Sequence, residues 1–106
     1  DHHCNFLEYE MLQRGLLWGI GTYLEADPAG LDKHSELILS QFLDSPDPIK
    51  RGYAARALKN ARSLENFMEK YRNLKKDFKK IDLFNGWDMV PARIADMVHS
   101  SQGRAG

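Results

Sequence analysis

The chain has 106 residues, 42% of them hydrophobic and 28% charged, with 15 basic and 15 acidic side chains. That length gives one domain or part of one, and that balance excludes a disordered polyelectrolyte. A formal net charge of zero excludes a global field that would draw the chain to nucleic acid or a membrane surface.

Residues 6–24, FLEYEMLQRGLLWGIGTYL, carry apolar side chains at 7, 11, 12, 16, 18, 20 and 23, close to helical spacing. Gly15, Gly19 and Gly21 are costly in an exposed helix and point to close helix–helix approach. The stretch EADPAG ends this helix, because Pro28 cannot continue it. Residues 31–43 read as a second amphipathic helix with Leu31, Leu37, Ile38, Phe42 and Leu43 inward. DSPDP at 44–48 stops it and starts another, with Asp47 as N-cap and Pro48 in the first turn. This third helix runs to about Arg62 on an inner stripe of Ile49, Tyr53, Ala54, Ala57 and Leu58. Ser63 opens a fourth helix, striped by Leu64, Phe67, Met68, Tyr71, Leu74 and Phe78. Its capping box is incomplete, with Asn66 where Glu or Gln is needed.

The period then changes. Asn85-Gly86 lies between two β-prone runs and predicts a hairpin with a two-residue loop, pairing Phe84 with Trp87 and Ile81 with Val90. Pro91 is expected to start a last short helix with Ile94, Met97 and Val98 inward. The expected organisation is a disordered or truncated end at 1–5, helical repeats over 6–79, a hairpin-plus-helix cap over 80–100 and a tail at 101–106.

LQRGLLWGIG at 12–21 and IKRGYAARAL at 49–58 match across 37 residues, the length of a helix–turn–helix repeat. Leu12 falls on Ile49, Arg14 on Arg51, Gly15 on Gly52, Leu17 on Ala54 and Ile20 on Ala57. One such helix pair cannot hide its apolar face alone, so neighbours stack into a continuous core.

DSPDPIKRGYAARAL resembles the HEAT repeat, in particular its phycobilisome-lyase-like variant. NFLEYEMLQRGLLWGIG and IDLFNGWDMVPARIADM resemble stretches of an uncharacterised family of HEAT-repeat proteins from sulfate-reducing and related anaerobic bacteria. The resemblance covers roughly 5–98. It implies an all-α, HEAT-like α-solenoid of stacked helical hairpins, closed by a small C-terminal β-hairpin and short helix, with more helices preceding this part. Arg56 and Lys59-Asn60 depart from the small residue and Gly of the repeats, which questions tight packing there. The resemblance implies a structural role for Arg14 and Arg51, bonding to an acid or to turn carbonyls of the neighbouring repeat. Asp44 and Asp47 are their candidate partners.

Residues 1–48 hold nine acids against Arg14 and Lys33, and residues 49–106 hold thirteen Lys or Arg against six acids. This reads as a stack with differently charged ends, or as a polar surface that orients a partner. Lys75, Lys76, Lys79 and Lys80 are the candidate partner surface. KYRNLKKDFKK mixes basic and aromatic residues, yet on a helix its aromatics form one stripe and its lysines a solvated face, so nucleic acid is not the expected partner.

DHHC at 1–4 does not make a palmitoyltransferase, whose zinc-bearing Cys-rich domain and membrane spans the sequence lacks. His2, His3 and Cys4 have no second ligand pair at zinc spacing, so no metal or cofactor is expected. His34 and His99 stand apart from any Ser, Cys or acid that would complete a catalytic set. Glu8 and Glu10 face different directions on a helix. Gly19 and Gly21 follow no strand and make no dinucleotide site. Trp18 is expected in the core and Trp87 over the end of the stack.

Cys4 alone allows no internal disulfide, which agrees with a reducing cytoplasmic setting. No apolar run approaches the ~20 residues of a membrane span. The start without Met suggests a piece of a longer protein. The expected function is a non-catalytic scaffold for another protein. The alternative is an accessory, lyase-like maturation factor acting on a cofactor-bearing protein.

Overall fold

Helix α3 (Pro48–Asn60) runs through the middle of the molecule, covered on two sides. The computed structural model describes residues 6–103 and the side chains of residues 9–99. Along α3, Gly52, Tyr53, Ala54, Ala55, Ala57 and Leu58 are all buried. The small ones, Gly52, Ala54, Ala55 and Ala57, let neighbouring elements lie close. Helix α1 (Phe6–Ala26) packs along one side of it, presenting Leu17, Gly21 and Leu24. At Gly21 an added Cβ would sit 3.5 Å from the Cα of Ala57. Helix α2 (Lys33–Phe42) also lies on α3, through Leu39 and Leu43.

Local chemistry sets the helix ends. Asp27 and Pro28 close α1, and a short 3-10 turn spans Pro28–Gly30. Asp32 caps α2, its Oδ1 accepting from Ser35 N at 2.7 Å. Asp47 caps α3, accepting from Ile49 N at 3.1 Å, with Pro48 in the first turn. The end of α3 is a Schellman motif: Ser63 N donates to Leu58 O and Arg62 N to Lys59 O, both at 2.9 Å. Arg62 holds the left-handed position there, at φ 61°.

The fourth helix differs from its expected extent. A 3-10 turn over Leu64–Phe67 precedes α4 (Met68–Lys75), which stops three residues short of Phe78. The Ser63 side chain makes no cap, and Asn66 reaches out to Glu36 on α2. At the other end Asp77 is drawn inward by Arg51, and its carbonyl accepts from Ala95 N at 2.8 Å. Phe78 is left 66% exposed, and Met68 is exposed too.

The hairpin is also re-registered. Strands β1 (Lys80–Phe84) and β2 (Met89–Arg93) pair Phe84 with Met89 and Ile81 with Ala92, so the loop has four residues, not two. The Asn85 carboxamide is the cause. Its Oδ1 accepts from Trp87 N at 2.8 Å and Asp88 N at 2.9 Å, and Gly86 takes φ 105°. Pro91 lies inside β2, opposite Asp82, and α5 (Ile94–Gly103) begins three residues later. Ile81 and Leu83 point at Gly52 of α3, and Phe84 N donates to Tyr53 Oη at 2.8 Å. Ile94, Ala95 and Val98 bury α5 against α3 and α4. Trp87 is 87% exposed at the loop tip and covers nothing.

Helix makes up 68% of the structure, with one small antiparallel sheet. Two matched glycines occupy opposite environments. A Cβ on Gly52 would collide with Ile81 Cδ1, whereas one on Gly15 meets nothing within 4 Å. Gly15→Ala is therefore expected to raise stability by about 0.5–1 kcal/mol through helix propensity. Gly52→Ala loses that gain to overpacking and lowers stability by about 1 kcal/mol. Urea denaturation of dilute protein followed by circular dichroism measures both, and equal shifts for the two would contradict this packing.

Candidate functional site

An apolar groove lies between α1 and α2. This groove holds about 630 Å³. Leu16, Gly19, Ile20 and Tyr23 form one wall and Leu31, Ile38 and Phe42 the other, with Leu17, Leu24 and Leu39 at the floor. Among the described residues its lining carries no carboxylate, amine, guanidinium, imidazole or thiol; Gln13, Tyr23 and Ser35 are its polar side chains.

The groove exists because the apolar stripe of α1 faces outward. Leu12, Leu16 and Tyr23 are 59%, 58% and 56% exposed, with Met11 and Ile20 also exposed. The buried ridge of Leu17, Gly21 and Leu24 lies about 100° further round the helix, with Leu17 and Leu24 reaching the groove floor. Likewise Leu37 and Ile38 of α2 are exposed where the sequence suggested burial. Gly15 and Gly19 do not mediate a close approach within this molecule; only Gly21 of the three does. Trp18 is half-buried rather than central, its ring 5.2 Å from that of Phe84 at a 50° tilt.

The residues singled out for inter-repeat bonds tie neighbouring elements together. Arg14 Nε donates to Asp47 Oδ2 at 3.1 Å, tying α1 to the cap of α3. Arg51, its match, donates to Asp77 Oδ2 and to Ser45 O, each at 2.9 Å. Asp44 pairs instead with Lys70 at 2.6 Å, linking α2 to α4. Lys50 pairs with Glu10 and with Gln13 across the α1–α3 contact. The bulky departures Arg56 and Asn60 are used as ties: Arg56 reaches Trp18 O and Thr22 Oγ1, and Asn60 reaches Gly21 O at 2.9 Å. Sequence reasoning missed Lys50, Asn60 and Asp77 as partners, because their contacts cross 26 to 39 residues.

The four lysines collect where α4 ends and β1 begins. Lys75 is half-buried with its Nζ 4.5 Å above the Tyr71 ring, while Lys76, Lys79 and Lys80 are exposed. His34 and His99 are exposed. His2, His3, Cys4 and the expected ends at 1–5 and 104–106 lie outside the described residues. Among the described residues no three His, Cys, Asp or Glu side chains cluster as a metal site, and no helix is long and apolar enough to cross a membrane.

Two carboxylates at the start of α2 are shifted. The amide of Ser35 holds Asp32 below its ordinary value. Glu36, buried on the far side of α2, is lowered chiefly by the hydrogen bond from Asn66 Nδ2 at 3.0 Å. Hydrogen bonding to Asp27 at 3.0 Å raises the Tyr23 hydroxyl.

Arg51→Ala leaves Asp77 inside without its cation and is expected to cost about 2–3 kcal/mol. Arg14→Ala, at a side chain 36% exposed, costs under about 1 kcal/mol. Thermal denaturation separates them, and a larger loss at Arg14 would refute the assignment. A folded-state pKa below the unfolded one adds stability above the unfolded value and loses it as pH falls through the folded one. The stability difference between wild type and Glu36→Gln is therefore expected to shrink steadily as pH is lowered through the carboxylate range. A difference independent of pH from neutral to strongly acidic solution would refute this.

No protein-family model, no curated protein and no solved structure matches the chain.

Proposed function

We propose that the chain is a non-catalytic protein-binding scaffold of the HEAT-repeat type, acting in the cytoplasm, and that the α1–α2 groove is the face on which a partner helix docks. The observation that carries this is an uncharged apolar groove open to solvent, with Leu, Ile and Tyr side chains exposed along three turns of α1. Helix-in-groove recognition uses such a surface, read by side chains spaced three and four apart.

The 37-residue register supports the same reading. On α3, the residues that receive α1 are Lys50, Arg56, Ala57 and Asn60. Their matches on α1 are Gln13, Gly19, Ile20 and Tyr23, which belong to the open groove. The outer face of α1 thus stands to an incoming helix as α3 stands to α1. In this reading the hairpin and α5 close the far end of the stack, and Lys76, Lys79 and Lys80 form a basic surface beside that end. The groove lining offers no nucleophile–base pair, which favours binding over turnover.

The test is quantitative affinity purification with wild type and surface variants of verified fold. Leu16→Glu and Ile20→Glu are expected to reduce partner retention at least tenfold, while Lys79→Glu with Lys80→Glu leaves it within twofold. Retention that ignores Leu16→Glu and follows the lysines would transfer the docking role to the basic end.

A further inference from the structure

We infer that the helix taken by this groove is α1 of a second copy of the chain, docked antiparallel about a two-fold axis that passes between Leu17 and Trp18. The inference rests on the groove being the docking face and names its occupant.

The exposed positions of α1 are self-complementary about that point. Reversing the helix around it sets Leu12 opposite Tyr23, Gly15 opposite Ile20 and Leu16 opposite Gly19. Each glycine, with nothing within 4 Å of where its Cβ would be, is a notch facing a large side chain of the other copy. Inside the molecule the same device is already used, where Gly21 lets α1 close on Ala57. A two-fold contact must be self-complementary in this way.

Charge chooses between a second copy and a helix built like the inner ridge of α1. That inner ridge carries Glu10 and Glu25, which α3 meets with Lys50 and Arg56. At the matching positions the open face has Gln13 and Gly19, so it supplies no cation to such glutamates. It fits an uncharged ridge, and the outer face of α1 is one. The exposed parts of Leu12, Leu16, Ile20, Tyr23 and Ile38 come to roughly 500 Å² per chain, about 1,000 Å² for the pair, which is the lower limit of a specific interface.

The full chain is expected to show twice the monomer mass by light scattering between about 1 and 100 µM. Ile20→Glu and Gly19→Phe are expected to be monomeric. Gly19→Ala separates association from folding: it weakens the dimer at least tenfold yet leaves the dilute monomer as stable as wild type or more so. In a Cys4→Ser background, a mixture of Leu12→Cys and Tyr23→Cys chains is expected to join through a short bismaleimide, and neither chain with itself. A monomer at every concentration overturns the inference. So does a dimer that survives Gly19→Phe and Ile20→Glu, or one in which Leu12→Cys links to itself. A monomer that still loses other partners on Leu16→Glu would leave the scaffold reading standing and remove the second copy alone.

Discussion

Everything in this fold depends on α3 being able to touch neighbours on two sides at once. Ala54, Ala55 and Ala57 are fully buried, so the helix offers backbone rather than side chain to what surrounds it. Close approach maximises dispersion contact per residue, and it leaves little room for error in packing. Gly21 on α1 and Gly52 under the hairpin are the two further concessions to that closeness. A core of small residues would be weak if it were all the molecule had. Leu24, Leu58, Leu74, Ile94 and Val98 fill the spaces between the helices and supply the large buried surfaces.

Close backbones bring a second requirement: the polar side chains that flank them must find partners. The chain meets it with long side chains crossing between layers. Arg14, Lys50, Arg51, Arg56, Asn60 and Lys70 each end on a carboxylate or carbonyl of another element. These contacts are partly buried, so their mutual attraction is offset by the desolvation of the charges they bring together. Three acids of the first half, Glu10, Glu25 and Asp44, are met by Lys50, Arg56 and Lys70 of α3 and α4, so part of the opposite charge of the two halves is spent across their junction.

Helices and the place of the hairpin were legible from local spacing, because caps such as Asp32 and Asp47 and breakers such as Pro28 act over three or four residues. The hairpin register was not. Asn85-Gly86 suggests a tight turn, but the Asn85 carboxamide captures two amides and shifts the strands by two. The outward stripe on α1 was hidden for a different reason. Leu12, Leu16 and Ile20 have the spacing of an inward face, and a sequence holds no mark that tells which of two apolar faces meets the core of the same molecule. That ambiguity is the groove itself: α1 has two faces fit for burial and fills one. Likewise α4 ended early through Arg51, a tie 26 residues away that no local pattern records.

The proline inside β2 has an effect on how copies of this chain behave when crowded. A two-stranded sheet exposes an edge on each side, and such edges template fibrils. Pro91 removes one amide from β2, so a foreign strand laid there would find its ladder interrupted. Lys80 and Arg93, paired at the mouth of the hairpin, would also stack like charges in any growing ribbon. The outer edge of β2 is thereby a poor template for a further strand.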